Sequence, residues 1–129
     1  MPEKPHNIII GPEVKLLDRA EIKCGFWLTK YFHSDIEFIP TASSNTPDIR
    51  VVRLHQYWEI KNITGNGKNT IHHAMSGANR QSNNLIITLI RSRMTPKVAI
   101  GRIKHEISKT TPFKRIILIT KSGKILEIK

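Results

Sequence analysis

The seven residues NLIITLI, Asn84–Ile90, constrain this chain most. The run is short, apolar and branched, which fits a strand better than a helix. A strand turns successive side chains to opposite faces, so a run that is apolar on both faces needs cover on both. That demand predicts a central sheet flanked by helices.

The rest of the chain supplies the flanking pieces. Leu17, Ala20, Cys24 and Leu28 recur at helical spacing, as do Trp27 and Tyr31, so a first helix is expected over about 14–32. Gly25 weakens its middle. DIEFIP, Asp35–Pro40, alternates as a short strand, and TASSNTP, Thr41–Pro47, is rich in turn formers. Two strands follow, near Ile49–Arg53 and Tyr57–Lys61. Thr70 can cap a helix through Gln81, with Ile71, Ala74, Met75 and Ala78 as its apolar stripe. Thr95-Pro96 opens a third helix, with Ile100, Ile103 and Ile107 on one face. RIILIT and KILEIK, joined through Lys121-Ser122-Gly123, form a closing hairpin. The expected fold is a single α+β domain with a central mixed β-sheet in the order α-β-β-β-α-β-α-β-β. Residues 1–12 are a loose lead-in, and 13–129 form the domain.

Charge narrows the partner. The 129 residues carry 21 Lys and Arg against 10 Asp and Glu, a formal charge of +11. Such an excess favours a polyanion, nucleic acid first, over a basic surface that only aids solubility. No apolar run approaches the roughly 20 residues that span a bilayer, and the start, MPEKPHNIIIG, lacks the features of a signal peptide. The chain reads as cytosolic or as a piece of a longer protein. Cys24 is its one cysteine, so an internal disulfide and a cysteine zinc site are both excluded; it is expected to be a buried structural thiol.

The candidate chemistry lies in TPDIRVVRLHQYWEIK, Thr46–Lys61. Glu59 and Lys61 are two apart on one strand and share a face, while Asp48 opens the neighbouring strand. If the strands pair, Asp48 and Glu59 can hold a hard divalent cation such as Mg²⁺ through their oxygens. Such a cation lowers the pKa of bound water and neutralises an attacked phosphodiester, and Lys61 can orient the water or stabilise developing negative charge. Glu-x-Lys alone is common on a solvated strand face; the Pro-Asp ten residues ahead of it is the more specific signal. Trp58 falls with Ile60 on the core side, and Tyr57 shares the Glu59 face, where it could stack on a nucleotide.

TPDI…WEIK, the loop ITGNGKNTI, the helix ending in NRQSNN and the strand LIITLI resemble the C-terminal nuclease domains of contact-dependent growth inhibition (CdiA-type) and related polymorphic toxins. The resemblance spans roughly Glu21 to Lys129. It implies an endonuclease that cleaves RNA, tRNA above all, or else DNA, in the cytoplasm of a target cell, and a cognate immunity protein as partner. Two folds occur among such toxins. The PD-(D/E)XK pattern, favoured here, implies metal binding at Asp48 and Glu59, a catalytic Lys61, and an acid in the first helix, which Glu21 matches. The barnase/EndoU/colicin/RelE type implies a cofactor-free RNase on an antiparallel sheet. RIILITKSGKILEIK looks like its closing hairpin, but ILEIK lacks the hydroxyl or His usual on its last strand.

Accessory candidates follow. Thr70, His73 and Gln81 could assist catalysis, and His72 or His73 could act as general base in a metal-free RNase; otherwise these are ordinary surface residues. Lys68, Arg80, Arg91, Arg93 and Arg102 are candidates for contacting nucleic-acid phosphates, with solvated helix ends and loops as the plain alternative. The loop holding Lys68 lacks the G-x-x-x-x-G-K-[ST] pattern of an NTPase.

Overall fold

A computed structural model describes residues 5–14, 17–41, 46–78, 81–109 and 113–129. Seven strands lie side by side in chain order: β1 Ile8–Ile10, β2 Ile36–Phe38, β3 Ile49–Val51, β4 Gln56–Asn62, β5 Asn84–Thr88, β6 Arg115–Ile119 and β7 Ile125–Glu127. Three helices connect them: α1 Arg19–Phe32, α2 Thr70–Ala78 and α3 Pro96–Lys109. β2, β3 and β4 form an antiparallel meander, β4, β5 and β6 run parallel, and β6–β7 is the antiparallel hairpin expected at the end.

The expected α+β class, mixed central sheet and flanking helices are all present. The expected element order lacked β1. Ile8–Ile10, in the segment read as a lead-in, pairs parallel with β2, Ile8 opposite Ile36. Three residues beside prolines and a glycine carry too little periodicity to announce an edge strand.

Both faces of β5 are covered, as the run NLIIT demands. Leu85 and Ile87 pack with Ile71, Met75, Ala99 and Ile103 of α2 and α3. Ile86 turns the other way, to Cys24, Leu28 and Phe32 of α1, and meets Trp58 and Ile117 there. The parallel strands β4, β5 and β6 need crossovers, and α2 and α3 supply them on one face while α1 covers the other.

α1 begins at Arg19, later than periodicity suggested, because Asp18, itself extended, opens it with a capping box. Its Oδ1 accepts from the Glu21 amide at 2.9 Å, and Glu21 Oε1 accepts from the Asp18 amide at 3.3 Å. Gly25 has a packing reason: a Cβ there would lie 2.9 Å from Ile8 Cδ1 and 3.0 Å from Phe38 Cε2. After β3, one 3-10 turn, Val52–Leu54, ends in His55 with φ 53° and reverses the chain into β4. Arg53 braces this turn against the end of α1, its Nη2 donating to the Phe32 carbonyl at 2.8 Å.

The β6–β7 turn depends on Gly123, whose φ is +91° and whose Cβ position lies 2.6 Å from Trp27 Cε2. Gly123→Ala combines backbone strain with a collision against a large ring. It should cost about 2 kcal/mol or more, read as a lowered urea midpoint and a changed Trp27 emission. An unchanged midpoint would show that the turn relaxes freely.

Candidate active site

Asp48, Glu59 and Lys61 converge at the junction of β3 and β4. The pairing register sets Ile49 opposite Trp58, which brings Asp48 level with Glu59. The Asp48 backbone is fixed on both sides: its amide donates to the Trp58 carbonyl at 3.1 Å, and its carbonyl accepts from the Ile39 amide at 2.9 Å. Its Oδ2 accepts from the Ile60 amide at 2.7 Å, so the carboxylate is held beside the peptide that links Glu59 to Ile60.

Strand alternation places Trp58 and Ile60 in the α1-side core, as expected. Glu59, however, is not on a solvated face: it is 2% exposed. Lys61 Nζ lies 3.1 Å from Glu59 Oε2. Among the described residues Glu59 Oε1 is buried without a hydrogen-bond partner. Burial pushes the Glu59 carboxyl up to about 8, the adjoining Asp48 carboxylate adds to the rise, and Lys61 opposes it. Two acids side by side, one of them buried with an unused oxygen, call for a proton or a cation.

A cleft of about 90 Å³ opens beside Asp48, lined by Glu21, Asp48, Ile60 and Asn62 together with Leu17 and Phe38; Glu59 and Lys61, on the other face of β4, do not line it. Glu21 reaches this wall from the first turn of α1 while keeping its capping contact to Asp18. Asn62 is fixed by the Thr88 hydroxyl. Beneath the cleft, burial pushes the Cys24 thiol up to about 12, with Glu21 and Asp48 adding to it. The thiol is therefore inert at neutral pH and structural, as the sequence suggested.

The accessory candidates do not join this cluster. α2 buries Ile71, Met75 and Ala78, a spacing that turns residues 72 and 73 outward. His73 is exposed, and its ring lies 5.8 Å from that of His72 between centroids. Thr70 stands at the helix start, where its amide donates to the Gly67 carbonyl at 3.3 Å. Gln81 lies in a turn after α2 and not in the helix, and its amide donates to the Ala78 carbonyl at 3.0 Å. Among the described residues no hydrogen bond or ion pair connects Thr70, His73 or Gln81 to Asp48, Glu59 or Lys61.

The basic candidates are spread out. Lys68 and Arg93 are exposed, and Arg80 lies outside the described residues. Arg91 forms an ion pair with Asp18, the α1 cap; the Glu21 amide that Asp18 accepts lowers its carboxyl, and Arg91 adds to that. Arg102 donates from Nη1 to the Gly67 carbonyl at 2.6 Å and tethers the glycine loop to α3. Tyr57 is exposed at the edge of a recess with Ser82, Asn84 and Arg115, and its carbonyl accepts from Ser82 Oγ at 2.7 Å. Sequence reasoning passed over the pairing of His72 Nδ1 with Glu106, which are 34 residues apart on different helices. No local spacing could announce it.

Comparison with known proteins places the chain in a family. The chain has no significant match among curated protein sequences. In the CdiA-CT/CdiI toxin and immunity complex from Burkholderia pseudomallei, a solved chain is similar with a TM-score of 0.69 and 20% identity, over 95% of this chain and 98% of that chain. At that identity the likeness is one of fold. The model of the contact-dependent growth inhibition CdiA C-terminal domain matches residues 45–125, a span that begins just before Asp48 and includes Glu59 and Lys61. The chain therefore belongs to the CdiA C-terminal domain family of contact-dependent growth inhibition proteins.

Proposed function

We propose that this domain is the toxin portion of its parent protein and an endonuclease that hydrolyses phosphodiester bonds of RNA, tRNA above all, in the target-cell cytoplasm. The observation that carries the reading is the convergence of Asp48, Glu59 and Lys61, with a buried oxygen of Glu59 that has no hydrogen-bond partner among the described residues. The parallel neighbours β4, β5 and β6 with their helical crossovers support the PD-(D/E)XK reading over an antiparallel RNase sheet. The choice of RNA comes from the family.

Asp48 and Glu59 fit a divalent cation. Two carboxylates abut, and among the described residues Glu59 Oε1 has no hydrogen-bond partner. Oxygen ligands of this kind suit a hard cation such as Mg²⁺, which usually keeps several of its waters. A bound cation would supply charge neutralisation at the attacked phosphodiester and a lowered pKa for the attacking water. Asp48, held by the Ile60 amide, fixes one side of the site, and the Glu59 carboxylate the other. Lys61, kept in place by Glu59, aims its ammonium at the negative charge that grows on the phosphoryl oxygens. A cognate immunity protein would neutralise the domain in the producing cell.

Purified domain incubated with total tRNA should cut it in Mg²⁺ and not in EDTA, and Asp48→Asn should lower the rate at least ~10²-fold. Cutting of plasmid DNA in place of tRNA would convert the reading to a DNase with the same site. tRNA cutting that persists in EDTA, or in Asp48→Asn, would remove these residues from the mechanism. Salt-sensitive binding with no cutting, unaffected by Glu59→Ala, would identify a non-catalytic nucleic-acid module.

A further inference from the structure

A second concave surface lies away from Asp48, Glu59 and Lys61, between the start of α2 and the length of α3. This groove, about 440 Å³ in volume, is lined by Lys68, His72, Arg102, His105, Glu106 and Lys109, with Gly101 in its wall. Three permanent cations and two imidazoles face a single acid. Unlike an exposed surface carboxylate, that acid is largely enclosed: its side chain is 11% exposed. Glu106 uses one oxygen on His72 Nδ1 and the other on Lys109 Nζ, 3.4 Å away. Burial acts to raise its carboxyl, but the contacts to His72 and Lys109 outweigh that and lower it, so it stays ionised.

Glu106 thus works as a brace that fixes the directions of two donors. His72 donates from Nδ1 to the ionised Glu106, so its Nε2 can donate to an anion when the ring is protonated. Arg102 is braced as well: Nη1 is committed to the Asn66 and Gly67 carbonyls at 3.2 and 2.6 Å, while Nη2 and Nε have no partner among the described residues. Fixed donors from two helices, excess positive charge and a concave wall suit a tetrahedral anion. The groove is open at Gly101, where a Cβ would meet nothing within 4 Å.

We propose that the α2–α3 groove is a phosphate subsite for the backbone of the RNA that the domain binds, with His72, Arg102, Lys68 and Lys109 as its donors. The identity of the chain as RNA rests on the reading above; phosphate binding in the groove does not depend on cleavage. Protein docking of an acidic partner on the same groove is the competing outcome.

The test is tRNA binding by fluorescence anisotropy across a salt series in EDTA, with every protein in the Glu59→Gln background so that the ligand stays whole. Gly101→Glu places an acid in the groove and should fold, because it replaces a helix glycine where there is space. Gly77→Glu makes the same charge change in the last turn of α2, also with nothing within 4 Å of its Cβ. Gly101→Glu should weaken tRNA binding at least ~10-fold and flatten the dependence of log K on log salt by about one unit; Gly77→Glu should do neither. Arg102→Ala should reproduce the loss.

Equal affinities for the two glutamate variants would overturn the proposal. So would absence of tRNA binding by the reference protein. A selective loss in Gly101→Glu when the protein with native Glu59 cuts no RNA would leave the subsite standing and remove only the nuclease reading.

Discussion

Glu59→Gln is expected to abolish cleavage and stabilise the protein in one substitution. The carboxyl ordinarily titrates near 4.5 and is raised to about 8 in the folded chain, chiefly by burial. Between those values folded Glu59 keeps a proton that the unfolded chain has already lost. Each rise in pH within that window therefore favours the unfolded chain. In EDTA the protein should lose on the order of 3 kcal/mol of stability between pH 5 and pH 7.5, from the span of that window.

A glutamine side chain at this position has nearly the same shape and no charge to bury, so the stability of the Glu59→Gln protein should be almost flat over that range. At pH 8 its melting temperature should exceed that of the native protein by ~10 °C, and the two should agree near pH 5. Mg²⁺ at pH 8 should raise the melting temperature of the native protein and leave that of Glu59→Gln unchanged, because only the carboxylate pair gives the cation a stronger site in the folded state. Cleavage should fall by ~10³-fold or more. Parallel pH–stability curves for the two proteins would mean that Glu59 is solvated and that the burial argument is wrong. Full activity in Glu59→Gln would remove the residue from the mechanism whatever its effect on stability.

This coupling of instability to chemistry explains what the sequence could and could not reveal. Alternation of Trp58, Glu59, Ile60 and Lys61 was enough to sort the faces, and pairing with the strand after Pro47-Asp48 was enough to bring the acids together. Both are period-two consequences of the backbone. The enclosure of Glu59 was not legible, because it depends on which later elements cover its face of the sheet. The Asp18–Glu21 cap is present in the sequence as D-R-A-E and went unread beside the apolar spacing that begins at Val14. The placements of His72 and His73 were ambiguous for a different reason. Two adjacent helix positions point about 100° apart, and only the position of α3 decides which meets a partner. Glu106 selects His72. β1 went unread because three isoleucines between a proline-rich start and Gly11 become a strand only when β2 offers its edge.

Lys61→Ala should separate the electrostatic role of the lysine from the folding of the strand. Lys61 is the cation that the ion-pair geometry places against Glu59, at 3.1 Å, and it opposes the upward push of burial and of Asp48. Its removal leaves the Glu59 carboxyl without that counter-charge, so the carboxyl should hold its proton to still higher pH. Two effects should then appear together. Cleavage at pH 8 should drop ~10²–10³-fold through loss of the charge that faces the developing oxyanion. What remains should climb with pH beyond the range in which the native protein's rate is expected to level off, because ionisation of Glu59 becomes limiting. Lys61→Arg keeps a positive charge next to Glu59 and should bring the ionisation limb back toward the native position. It should recover only part of the rate, because a planar guanidinium does not replace a compact ammonium. A Lys61→Ala protein with a lowered rate but an unmoved pH limb would show that the lysine acts on substrate alone. A native rate at every pH would show that the 3.1 Å pair belongs to the sheet and not to the chemistry.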